Sequence, residues 1–194
     1  MTDPDTTTSG SKTRIRIGAA LAVAVVAAFG IWIVVQARDD NGSSSTTTAA
    51  TNPAAQTGPV AVSADGLATL AGAVEQPIYW AGPQQTELYE LTRLQDGKVY
   101  VRYLPDGVDA GAKALLLTVA TYPLANAYGT TQKASQQAGA TPVSAGDAAV
   151  AFQGKGSSSV YLAFQGVNAQ IEVFSPTAGE AAQLVESGQI VRAG

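Results

Sequence analysis

The run from Ile17 to Val35 contains no charged residue over 19 positions. An α-helix rises about 1.5 Å per residue, so such a segment extends roughly 28 Å, close to the roughly 30 Å hydrocarbon core of a bilayer. Lys12, Arg14 and Arg16 flank its N-terminal side and Arg38 alone follows it. Basic residues favour the cytoplasmic side, which predicts an N-terminal tail inside and the bulk of the chain outside. Trp32 lies near the outer end, where an indole suits the interface. The sequence thus reads as a cytoplasmic tail (1–16), a transmembrane helix (17–36), a linker (37–58) and an extracytoplasmic domain (59–194). The small residues of Val35-Gln36-Ala37 leave open cleavage after Ala37, but the apolar run is longer than a signal peptide requires. Ala20, Ala24 and Ala28 recur every fourth residue, a stripe that suits weak helix dimerisation within the lipid bilayer.

Two absences narrow the chemistry. The 194 residues include no cysteine and no histidine. Without cysteine there is no disulfide, thiolate nucleophile or iron–sulfur ligation; without histidine the commonest general base and zinc ligand are missing. A Ser–His–Asp triad cannot be assembled from this chain. The net charge of -4, with no basic run, argues against nucleic acid as a partner.

Residues 39–58 are rich in Ser, Thr and Ala and have little to bury, so they read as a flexible tether with an end-to-end distance of roughly 25 Å. The hydroxyl run Ser43 to Thr48 and the Asn41-Gly42-Ser43 sequon are candidate glycosylation sites on an exported chain. From residue 59 the pattern changes. Leu67, Leu70, Ala71 and Val74 lie on one stripe of a helix predicted over 63–75, which Pro77 ends. Strands then dominate. Asp96-Gly97 predicts a two-residue hairpin turn that would pair Leu94 with Val99 and Thr92 with Val101. "KALLLTVATY" (113–122) reads as a third, buried strand, followed by a helix from Pro123 to about Ala138. Three further strands lie around "DAAVAFQ", "SSVYLAFQ" and "AQIEVFS". Gly166-Val167 there predicts a hairpin matching Leu162 with Ile171 and Val160 with Val173. A helix opened by Pro176 and closed by Gly188 precedes a last short strand, "QIVR". The expected fold is α+β, a mainly antiparallel sheet with helices on one face. The order strand, strand, strand, Pro, helix occurs twice, as in a duplicated βββα unit.

The segments "PIYWAGP", "YELTR", "GKVYVRYLPDGV", "TVATYPLANAY", "SVYLAF" and "QIEVFSP" together resemble an uncharacterised family of single-pass membrane proteins from actinobacteria and related high-GC bacteria. The resemblance covers most of residues 75–188. It implies the same tail, anchor and outer domain, and carries no activity and no catalytic residue.

Within the domain, Glu87 and Glu90 are three apart on a strand and so face opposite ways, unsuited to acid/base work as a pair. Lys155 in "QGKGSSS" lacks the spacing of a phosphate-binding loop, and Asp106 and Asp109 lack the further ligands of a calcium loop. No metal or cofactor is expected. With the two-residue hairpin register, Tyr89, Arg93, Tyr100 and Arg102 share one face, an aromatic and basic platform able to stack on and hydrogen-bond a ligand. Ile78 and Trp80 are expected to face the core and Tyr79 to point away, so Tyr79 joins the candidate binding face. The functional expectation is a membrane-anchored, non-enzymatic binding domain at the cell envelope. Its alternatives are a structural spacer and a hydrolase using carboxylates or serine.

Overall fold

A computed structural model describes residues 58–194. The anchor, the tail, the stripe of Ala20, Ala24 and Ala28 and nearly all of the linker lie outside the described residues.

Among the described residues, ten strands and three helices follow in the order β1 (Val60–Val62), α1 (Ala64–Gly72), β2 (Tyr79–Trp80), β3 (Leu88–Arg93), β4 (Val99–Leu104), β5 (Thr118–Pro123), α2 (Ala127–Ser135), β6 (Ala140–Val143), β7 (Ala149–Gly154), β8 (Ser159–Phe164), β9 (Ala169–Phe174), α3 (Glu180–Glu186) and β10 (Val191–Arg192). Eight of the strands form one antiparallel sheet in the order β1-β3-β4-β5-β9-β8-β7-β6, and β10 pairs with β2 as a separate ribbon. The domain is α+β, as the sequence predicts.

The two faces of the sheet differ. On one, which we call face A, Val101, Val119, Val173 and Val160 lie side by side across the four central strands, each completely buried. β-Branched side chains pack well on a pleated surface, and cross-strand pairs of this kind stabilise a sheet directly. Leu67 and Ala71 of α1 and Ala181, Leu184 and Val185 of α3 close over this face, together with the β2–β10 ribbon. Ser63 caps α1 by accepting the Gly66 amide at 3.2 Å, in keeping with the preference for a hydroxyl at a helix start.

The helices are not all on one face. Gln170 Nε2 donates to Thr131 Oγ1 of α2 at 2.9 Å, and Gln170 points opposite to its neighbours Ala169 and Ile171. α2 therefore lies on face B, against β7 and β8. Its small buried residues, Ala127 and Thr131, let it sit close to the sheet.

The second hairpin has the predicted register, with Val160 opposite Val173 and Leu162 opposite Ile171. The first does not. Leu94 bonds to Lys98, Arg93 stands opposite Val99, and Leu91 opposite Val101. The loop contains three residues, Gln95, Asp96 and Gly97, and Gly97 takes the left-handed conformation (φ +82°) of a turn followed by a bulge. A side chain here would also meet Gln76 Oε1 at 2.8 Å. Because the period of a strand is two, this shift by one residue moves partners to opposite faces.

The third strand is also shorter than its hydrophobicity predicts. Only Thr118–Pro123 pairs, and Leu115 is 74% exposed. Residues 105–116 instead form a strap whose Gly111, Ala112 and Ala114 bond to Glu90 and Arg102 on face B, while the Leu117 carbonyl still accepts the Tyr103 amide at 3.0 Å.

Candidate functional site

The strap is held by one buried ion pair. Glu90 on β3 is 3% exposed and accepts two bonds from Arg102 Nη1 on β4, at 2.9 and 2.8 Å. Its Oε2 also accepts the Gly111 amide at 2.7 Å, while Arg102 Nη2 donates to the carbonyls of Ala112 and Ala114 at 2.9 and 2.8 Å. Each charge is thus satisfied from the strap as well as from its partner, which a buried pair requires.

Beside the strap, a row of residues crosses face B in register: Thr92, Tyr100, Ala120, Glu172, Tyr161, Phe152. Ala120 is the one small side chain between two large neighbours, and Tyr122, two residues along the same strand, leans into that space. Its hydroxyl donates to Glu172 Oε2 at 2.6 Å, and its ring meets that of Tyr100 edge-on at 6.1 Å. Ser159 donates to Glu172 Oε1 at 2.6 Å and Tyr161 to the same oxygen at 3.3 Å. Phe152 stacks against Tyr161 at 5.5 Å. α2 covers the Phe152 side, where that ring is buried, and the strap covers the Glu90 side. Tyr100, Tyr122, Tyr161 and Glu172 are half-buried, a strip between the two covers.

Burial pushes the Tyr122 hydroxyl far above its ordinary value of 10, and the adjacent Glu172 carboxylate adds to the effect. Burial, again with Glu172, does the same to Tyr161, and burial alone is the main cause for Tyr103 in the core. The unfolded chain's phenols ionise near pH 10, while these three remain protonated in the native state. Their contribution to stability is therefore fully present below pH 10 and declines as the pH rises above it. Absorbance of ionised tyrosine, followed between pH 9 and pH 11 alongside urea midpoints, should show fewer than the full seven tyrosines titrating until unfolding sets in. All seven ionising near pH 10 in a folded protein would contradict this assignment.

The predicted platform is divided between the two faces. Tyr100 and Arg102 are on face B, but Arg102 is committed to Glu90 and the strap. Tyr89 and Arg93 project to face A, beside Leu91. Tyr89 is 1% exposed and contacts Trp80 and Tyr103 edge-on at 5.4 and 5.1 Å. Tyr79 is a core residue too, 7% exposed and stacked on Phe164 at 5.3 Å, with its amide bonded to Thr121 Oγ1. The alternation rule misplaces it because β2 lies over face A and pairs with β10, so both Tyr79 and Trp80 touch the core. Arg93 lines an apolar recess with Leu70, Val74, Ile78 and Leu91; its free space of about 20 Å³ suits about one water and no larger ligand. Lys155 lies at the rim of an open depression with Thr141, Gln153 and Ser157. Among the described residues no group of acidic side chains is placed to hold a metal ion.

Glu172 and Tyr161 were legible as a cross-strand pair, since the second hairpin's register follows from its sequence. Tyr122 was not, because the bond that brings it to Glu172, 50 positions along the chain, depends on β5 pairing with β9. Comparison with protein-family models, curated proteins and solved structures finds no match.

Proposed function

We propose that the chain is a single-pass membrane protein whose 59–194 domain lies outside the membrane and binds a ligand or partner, without catalysis, through the strip on face B. The observation that carries this reading is the Glu172 cluster: a carboxylate and three tyrosine rings left half-open between two structural covers. Aromatic side chains with polar tips are the groups that recognition surfaces favour. The arrangement offers less to a two-carboxylate hydrolase. Glu90 is occupied by Arg102, and it stands three strand spacings, about 14 Å, from the strand of Glu172; glycosidase carboxylates are about 5–9.5 Å apart. The location rests on the charge-free run 17–35 and its flanking basic residues, and the family resemblance agrees with it. We further read β3-β4-β5 and β7-β8-β9 as copies of one unit, supported by the equivalent places of Val99 and Val160, and of Val101 and Leu162, in the two halves of the sheet.

The absence of native cysteine provides the test, since each introduced thiol is unique. A membrane-impermeant maleimide should label Asp147→Cys, in an exposed turn, on intact cells, and Ser9→Cys only after lysis. Thr92→Cys, beside Tyr100 on face B, should react in the purified protein and be protected in cells. The opposite labelling of Ser9→Cys and Asp147→Cys sinks the topology. Equal reactivity of Thr92→Cys in both settings sinks the occupied strip.

A further inference from the structure

We infer that the strip is a site for an organic ammonium group, which rests on the binding function proposed above and assigns its ligand class. A carboxylate offers about four acceptor positions. Three on Glu172 are taken, two at Oε1 by Ser159 and Tyr161 and one at Oε2 by Tyr122. One position at Oε2 is left over. Among the described residues Arg102 pairs with Glu90 and Lys98 with Asp96 at 2.7 Å, so the lysine that stands near Tyr100 is engaged at the turn and Glu172 is held by hydroxyls.

The surroundings favour a cation over an anion or a neutral molecule. The rings of Tyr122 and Tyr161 adjoin the carboxylate through their hydroxyls, with Tyr100 edge-on to Tyr122, and an aromatic ring attracts positive charge through its quadrupole. The nearest fixed guanidinium, Arg102, has both terminal nitrogens engaged by Glu90 and the strap carbonyls, so it is not offered to an anion. The hydroxyls hold Glu172 in place without neutralising it. A charge so oriented loses little freedom when its ligand arrives, which reduces the cost of binding. The half-covered position also lowers the effective dielectric relative to a fully exposed carboxylate. Together these features describe a seat for an alkylammonium head, quaternary or primary.

The test uses the full chain in maltoside detergent. Choline, N-acetyl-lysinamide and 3,3-dimethylbutan-1-ol, the uncharged isostere of choline, are titrated while the tyrosine ring signals are followed by NMR. Choline and the lysine derivative separate a quaternary head, as on a small molecule or lipid, from a primary amine on a protein side chain. Saturable shifts of Tyr100, Tyr122 and Tyr161 with at least one of the two cations, and none with the isostere, are expected. Glu172→Gln should weaken that binding at least about tenfold while keeping the side-chain shape. Tyr100→Leu, which leaves the Glu172 hydrogen bonds intact, should weaken it several-fold and serves as the check should Glu172→Gln fold poorly. Equal binding of the isostere overturns the ammonium assignment but leaves a binding strip. Absence of binding by all three overturns the assignment as well; the strip itself then falls only if Thr92→Cys is also unprotected in cells.

Discussion

Replacing Glu90 by alanine is expected to lower the free energy of unfolding by about 3–5 kcal/mol, because it leaves the buried guanidinium of Arg102 without its partner. Small domains are stable by about 5–15 kcal/mol in total, so the loss is a large share. It should appear in urea melts as a lowered midpoint. The strap is the second readout. Glu90 accepts the Gly111 amide, and Arg102 holds Ala112 and Ala114, so the backbone of 105–116 should exchange its amide hydrogens faster in the variant. The pair itself need not be stabilising relative to an apolar pair of similar volume. The double variant Glu90→Met with Arg102→Leu should therefore recover most of the midpoint lost by Glu90→Ala. A single variant within about 1 kcal/mol of wild type would place this ion pair among exposed ones, contrary to its burial.

The second large effect is at Tyr89. It was a candidate ligand contact by sequence and is a core residue by structure. Its replacement by alanine removes a ring packed against Trp80 and Tyr103 and should cost about 3–5 kcal/mol. Tyr89→Phe should cost much less, about 1 kcal/mol at most, since the hydroxyl's bond to the Thr86 carbonyl is long at 3.4 Å. Denaturation of the two variants side by side distinguishes the roles. A surface ligand contact would leave both near wild-type stability, whereas a core ring separates them by several kcal/mol.

The contrast between the two hairpins explains which parts of the fold were legible. In the second, Val160, Leu162, Ile171 and Val173 alternate with Tyr161, Gln170 and Glu172, so hydrophobic pattern and turn agree on one register. In the first, Leu91, Val99 and Val101 alternate as clearly, but Leu94 at the turn is half-buried and apolar. Asp96-Gly97 suits a two-residue turn, while the native loop holds one residue more. The error is local and its consequence is global. Arg93 and Tyr100 appear as neighbours in one register and on opposite faces in the other. In the same way, Leu115 and Leu116 look like strand and belong to the strap, which Arg102 ties down at the carbonyls of Ala112 and Ala114, while the Leu117 carbonyl still accepts the Tyr103 amide.

What residues 1–194 determine by themselves is the set of available chemistries and the local elements. A chain with no histidine and no cysteine excludes whole classes of mechanism. A charge-free run of bilayer length predicts an anchor. Two-residue and 3.6-residue periodicities place the three helices and the longer strands of 59–194, but not the short edge strands β1 and β6 or the late start of β5 at Thr118. The tertiary structure alone decided the candidate site. Glu172 gains Tyr122 only because β5 lies beside β9, and the strip is half-open only because α2 and the strap settle on either side of it. Neither follows from a local pattern, since pairing between distant strands is selected by the packing of the whole sheet. The same Val119 and Val173 that bury face A bring Ala120 and Glu172 together on face B.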